Sequence, residues 1–239
     1  YLPRHLGDAA EMARVTPTML PEGSAREVIL VVEDEDGVRD LAVAALRDLR
    51  YTVIHAEGAK DALQKLDTHP EIALLFTDVV MPEVNGRELA QAVHERRPDL
   101  PVISIVGDGS FCFSGPQPLW SQARYKAPVL NIVLNNHSYN NERNRIWHYG
   151  GRQFQTGRDM TCYLGDPDID YAKSAQAFGV EGETVKEPGG LKDAVARGRR
   201  AVAEGRPYLL DIHTYRDGIG AVSTWHPSYS VADKRTRKV

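Results

Sequence analysis

The chain has 239 residues, enough for one large domain or two small ones, and its 42% hydrophobic and 26% charged content is that of an ordinary globular protein. A net charge of −4, with acids and bases interspersed, argues against a nucleic-acid surface. No apolar run approaches the ~18 residues of a membrane span; there is no charged-then-apolar leader, and Cys112 and Cys162 are too few for a disulfide framework or a zinc site. A cytoplasmic protein is the expectation, and a start at Tyr1 rather than Met reads as a piece of something longer.

Residues 1–27 are polar, contain prolines and carry little periodicity, the pattern of a linker. Val28 to Val32 is a buried strand that runs into Glu33-Asp34-Glu35-Asp36, and Val38 to Leu49 has helical apolar spacing with Asp36 placed to cap it. Tyr51 to Ala56 is a strand and Ala59 to Leu66 a helix. Ile72 to Thr77 is a strand ending at Asp78, with a turn before a helix from Arg87 to about Arg96. Val102 to Val106 is a short, β-branched, apolar run that ends in Gly107-Asp108-Gly109-Ser110. A helix-sized segment then leads to the strand Val129 to Leu134, which ends in Asn135-Asn136. The span from Tyr139 to Tyr163 is polar and aromatic-rich. A helix to Phe178, a strand Val180 to Val185, a helix Leu191 to Ala203 and a strand Tyr208 to His213 follow. Strands alternating with helices predict an α/β fold with a doubly wound, right-handed, parallel sheet.

In such a sheet the strand ends share one edge, where ligands bind. Glu33, Asp34 and Asp78 converge there. One carboxylate from Asp108, a carboxamide, backbone carbonyls and a diphosphate also form a natural oxygen shell for Mg²⁺. The histidines show no metal-ligand spacing and read as structural or exposed.

Val31-Val32-Glu33-Asp34-Glu35 after the first strand, and Phe76-Thr77-Asp78-Val79-Val80-Met81-Pro82 with Gly86 after the third, resemble the receiver domain of two-component signalling, closest to receivers of hybrid histidine kinases. Residues 1–27 are similar to the end of a kinase ATP-binding domain where it leads into a receiver. The resemblance implies that Asp78 is the phospho-acceptor, and that Glu33 and Asp34 hold Mg²⁺ with Asp78 and the Val80 carbonyl. It implies a histidine kinase or another phosphodonor as partner. The family's hydroxyl near the end of the fourth strand is replaced by Val106, and its lysine after a fifth strand has no counterpart, because Lys126 precedes a strand instead of ending one. Phosphorylation chemistry can outlast that loss; signalling output is expected not to.

Gly107-Asp108-Gly109, then residues 110–134, then Asn135-Asn136 resembles the cofactor motif of thiamine-diphosphate-dependent enzymes. Arg124-Tyr125-Lys126-Ala127-Pro128-Val129 is similar to the decarboxylase and acetolactate-synthase-like branch, and Ala177 to Gly182 is similar to that domain's closing βαβ unit. The resemblance implies thiamine diphosphate and Mg²⁺, with Asp108, the Asn136 side chain and the Ser138 carbonyl on the metal and Gly107, Gly109 and Ser110 beside the diphosphate. Gly115 to Trp120 departs from the family's Glu-Leu-x-Thr pattern. The segment that grips the diphosphate and the pyrimidine-binding domain with its glutamate lie outside this sequence, so no catalytic residue is assigned. A homo-oligomer or a pyrimidine-binding domain in trans is expected as partner, and turnover by the chain alone is not.

The expected organisation is a linker or kinase end at 1–27, a receiver at 28–106 lacking its final strand and helices, a thiamine-diphosphate-binding domain at 102–225, and a tail at 226–239. The strand Val102 to Val106 serves both parts, in one sheet of order 2-1-3-4-5-7-6; the alternative is two partly folded pieces joined by a linker. Glu33, Asp34, Asp78 and Asp108 are then expected to form one acidic cluster whose two sites compete. Three functions stay open. One is the cofactor-binding portion of a 2-oxo-acid decarboxylase or carboligase, another is a phosphorelay receiver with a passenger domain, and the third is a chimeric sequence without evolved function.

Overall fold

The computed structural model describes residues 23–24, 26–78, 81, 86–150, 152–159, 161–218, 221 and 223. In chain order the elements are β1 (Val28–Val32), α1 (Asp36–Asp48), β2 (Thr52–Ala56), α2 (Ala59–Thr68), β3 (Ile72–Asp78), α3 (Gly86–Arg96), β4 (Val102–Gly107), α4 (Asp108–Ser114), α5 (Gln117–Tyr125) and β5 (Val129–Asn135). There follow α6 (Asn140–His148), α7 (Arg152–Thr156), α8 (Tyr171–Ala177), β6 (Glu181–Val185), a 3₁₀ turn (Pro188–Gly190), α9 (Leu191–Ala203) and β7 (Tyr208–His213). Most of the expected linker and all of the tail lie outside the described residues.

The seven strands form one parallel sheet of order β2-β1-β3-β4-β5-β7-β6, as the sequence predicts. Two partly folded pieces are therefore not what the chain forms, because β4 is hydrogen-bonded to β3 on one side and β5 on the other.

Alternation along each strand sends successive side chains to opposite faces, and both faces are covered, as a parallel sheet requires. On one face Leu30 and Val32 of β1, Leu75 of β3, and Val102 and Val129 of β4 and β5 pack under Ala62 and Leu66 of α2 and Leu89 and Val93 of α3. The same layer continues under Leu119 of α5 and Tyr171 and Ala175 of α8. On the other face α1 covers Ile29, Val31 and Val53 through Val43, and α9 covers Leu130 and Leu210 through Ala194, Ala201 and Val202. Gly198 lets α9 approach closely, since a Cβ there would lie 2.6 Å from a Leu130 methyl.

One local feature differs from the pattern-based reading and two add to it. Glu35, not Asp36, is the residue before α1, and no side chain caps it; Asp36 is helical and pairs with Arg39 one turn on. The span after Tyr139 folds into α6 and α7. α6 is polar almost all round, and it is tied down by Arg143, which is wholly buried and donates to the Asn140 side chain and the Asp217 carbonyl. Asn131, polar in the middle of a buried strand, is satisfied by reciprocal bonds with Gln122 of 2.8 and 3.1 Å. Among the described residues no helix is long and apolar enough to cross a membrane.

Candidate functional site

Two groups of polar residues sit at the carboxyl edge of the sheet. The first is built where β1 and β3, adjacent in the ladder, both end in acids. Carboxylate oxygens of Glu33, Asp34 and Asp78 lie within 4.8 Å of one another. The Glu35 N–H donates to Glu33 Oε1 at 3.1 Å, and Arg39 Nη1 donates to the Glu33 carbonyl at 2.9 Å. Burial, then the charges of Asp78 and Asp34, push the Glu33 carboxyl above its usual range against the pull of the Glu35 N–H. Like charges gathered this way favour a cation between them. Thr77, buried below Asp78, donates its hydroxyl to the Asp78 carbonyl at 2.9 Å and fixes the strand end. The Val80 carbonyl lies outside the described residues.

Beside this group Ile105 stands opposite Asp78. Val106 points into the core with Leu119 and Val133 and offers no hydroxyl. Lys126 ends α5 in a left-handed conformation just before β5, at the opposite end of the sheet from Asp78.

The second group lies between β4 and β5. Asp108 follows β4 directly and is buried. Its Oδ1 accepts the Gly109 N–H at 3.0 Å and its Oδ2 accepts the Ser138 N–H at 3.1 Å. Burial nonetheless raises the Asp108 pKa. The facing loop turns through His137, whose φ is 55°, and is held from outside by the Tyr139 N–H to the Cys162 carbonyl and the Leu164 N–H to the His137 carbonyl, both 2.8 Å. Asn136 Oδ1 and Ser138 Oγ are buried there without a hydrogen-bond partner. A buried carboxylate facing a loop that carries orphaned neutral oxygens suits a hard cation, which takes oxygen ligands. Gly107 borders open space, and Ser110 is exposed. Gly109 also makes room for an aromatic neighbour, since a Cβ there would lie 2.7 Å from the Tyr139 ring.

The two groups do not merge into one acidic cluster. The register places Asp78 beside Ile105, so Asp108 lies three residues further on. Among the described residues the cluster comprises Glu33, Asp34 and Asp78, without Asp108.

Sequence reading also missed Asp211, Thr184 and Tyr171. Asp211 is buried in β7 and bonded to Asn135, and a lone acid inside the apolar run Tyr208 to His213 was the available signal. The Tyr171 hydroxyl lies 3.2 Å from Cys112 Sγ and 3.5 Å from the Asp108 carbonyl.

Residues 81–212, more than half of the chain, match the C-terminal TPP binding domain of thiamine pyrophosphate enzymes. Residues 29–111 match the response regulator receiver domain. Chemotaxis protein CheY1 of Helicobacter pylori is 36% identical over 84 residues, 34% of this chain and 68% of that protein. The chain belongs to both families. The receiver part is also similar to the response regulator receiver protein CpdR of Brucella abortus, 40% identical over 33% of this chain and 65% of CpdR. The TPP-binding part is similar to benzoylformate decarboxylase of Pseudomonas aeruginosa, 31% identical over 56% of this chain and 22% of that enzyme. Both family matches include residues 81–111, which hold α3, β4 and the start of α4.

Proposed function

We propose that the chain is the cofactor-holding portion of a 2-oxo-acid decarboxylase or carboligase, joined through a shared strand to a receiver segment that accepts a phosphoryl group. In this reading a receiver at 28–106 and a cofactor domain at 102–225 have β4 in common. The observation that carries it is the buried, partnerless Asn136 Oδ1 in the loop that closes on Asp108. Asp108, Asn136 and the Ser138 carbonyl would hold Mg²⁺, and Gly107, Gly109 and Ser110 would border the diphosphate. Thiamine diphosphate, when bound, supplies the nucleophilic carbon that such reactions need. The chain's own residues bind and orient it; a pyrimidine-binding domain supplied in trans would complete the site. Isothermal titration with thiamine diphosphate should give binding that requires Mg²⁺, weaker than that of a complete enzyme, and Asn136→Ala should remove it. Equal affinity in the variant would overturn the assignment.

A second activity is favoured by the convergence of Glu33, Asp34 and Asp78. A divalent cation there would offset charge on a phosphoryl group arriving at Asp78, donated by a histidine kinase or a small phosphodonor. Acetyl-phosphate labelling should be confined to Asp78 and require Mg²⁺; label in Asp78→Asn would count against it.

A further inference from the structure

The two asparagines that end β5 have different surroundings. Asn136 presents an unpartnered oxygen, whereas Asn135 is wholly buried and hydrogen-bonded through both its amide nitrogen and its oxygen. Its Nδ2 donates to Asp211 Oδ1 at 3.0 Å, and its Oδ1 accepts the His137 N–H at 3.1 Å. The other carboxylate oxygen of Asp211 accepts the Thr184 hydroxyl at 3.2 Å. A line of hydrogen bonds therefore runs from β6 through β7 to the end of β5, three adjacent strands.

The bond from Asn135 to the His137 N–H is of the kind by which an asparagine folds its own backbone into a turn two residues on. It supports the left-handed conformation of His137, a conformation costly for most side chains. That turn delivers the Ser138 N–H to Asp108 at 3.1 Å and leaves the Asn136 oxygen inside. If the Asn135 carboxamide rotated, the turn would lose its support and both groups would drift from Asp108.

We propose that Asp211 and Asn135 are positioning residues for the cation site: the carboxylate on β7 fixes the carboxamide of Asn135, which fixes the loop 135–138 against Asp108. The inference rests on the reading that Asp108, Asn136 and Ser138 hold the metal. It assigns a role to a side chain that touches neither metal nor cofactor. An asparagine at 211 can replace the carboxylate, with its oxygen accepting from Asn135 and its amide donating to the Thr184 hydroxyl, which accepts as well as donates. Alanine can do neither.

Titrations with thiamine diphosphate in MgCl₂ or CaCl₂ test this, with melting of the ligand-free chain measured alongside. Mg²⁺ demands near-ideal octahedral geometry while Ca²⁺ tolerates a loose shell, so the Mg²⁺ to Ca²⁺ affinity ratio reports on the loop, not on overall stability. Asp211→Asn should keep affinity and ratio. Asp211→Ala should lose about ten- to a hundredfold in Mg²⁺-supported affinity, the size seen when outer-shell partners of metal ligands are removed, and the ratio should fall. Thr184→Val, which removes one support only, should move both in the same direction by less and serves if Asp211→Ala does not fold. Leu209→Ala, a cavity in the same strand, should lower the melting temperature and leave the ratio unchanged. An unchanged ratio in both Asp211→Ala and Thr184→Val, or an equal fall in Leu209→Ala, overturns the positioning role while the cofactor site stands. Failure of the parent chain to bind, or binding unaffected by Asn136→Ala, overturns the underlying reading and this inference with it.

Discussion

Asp78 stands opposite Ile105 in the ladder between β3 and β4, which leaves Asp108 three residues further along the chain. With a rise of ~3.3 Å per residue and a strand spacing of ~4.8 Å, the two acids are about 11 Å apart at their backbones. At that distance a pair of unit charges in water interacts by only about 0.4 kcal/mol before screening, and the screening length at physiological salt is about 8 Å. Beryllofluoride at Asp78 should therefore change thiamine diphosphate affinity by less than about threefold at ~0.15 M salt, with a larger effect at ~0.01 M. A tenfold change at the higher salt would mean that β4 itself shifts.

Beryllofluoride with Mg²⁺ should perturb amides near the ends of β1 and β3 and little else. Ile105 and Val106 flank the site in place of a hydroxyl, and Val106 is already packed against Leu119 and Val133. Amide spectra of the parent and Asp78→Asn would check this. Shifts reaching α5 or α8 would sink the expectation, as would a response that survives in the variant.

Burial holds the Asp211 carboxyl above its usual range, against the hydrogen bonds from Asn135 and Thr184 and the charge of His213. A group whose folded pKa is raised binds more protons in the native state, so its contribution is fully present below the unfolded value near ~3.9 and is lost as pH rises through the folded value. Asp211→Asn has no such charge to bury. It should melt above the parent at pH 7, and the gap should close as pH falls toward ~4. A gap constant across that range would show that the carboxylate costs nothing by being buried.

Gly109→Ala should destabilise the chain by about 1–3 kcal/mol, the usual cost of overpacking, because the new methyl meets the Tyr139 ring at 2.7 Å. Removing the ring should relieve it: Gly109→Ala in a Tyr139→Ala background should cost much less than in the parent. Denaturant unfolding of the four chains measures the coupling, and additive effects would place the strain elsewhere.

The sheet was legible because its strands are short β-branched runs bounded by acids, glycines and asparagines, and the order was implied by the resemblance to two families whose sheets can share the run Val102 to Val106. The separation of the two sites was not, since strand ends read from sequence carry no ladder register; only the pairing of Asp78 with Ile105 settles it. α6 escaped because it lacks an apolar stripe: what holds it is buried Arg143 bonded to Asn140 and to Asp217, 74 residues away in the chain. The resemblance assigns Asn136 to the metal, but the role of Asn135 was not legible, because its partner, the buried carboxylate of Asp211, lies 76 residues further along the chain.

Val102 belongs to residues matched by both families, and it lies in one core cluster with Leu75 and Leu89 on one side and Val129 on the other. A joint of that kind has no hinge. Proteases acting on the native chain should release no stable half, and calorimetry should record one transition whose van't Hoff and calorimetric enthalpies agree. Trading the receiver segment for another would mean matching the side chains along β4, as when a strand is replaced inside a single domain, and no lengthening of a connecting loop would ease the exchange.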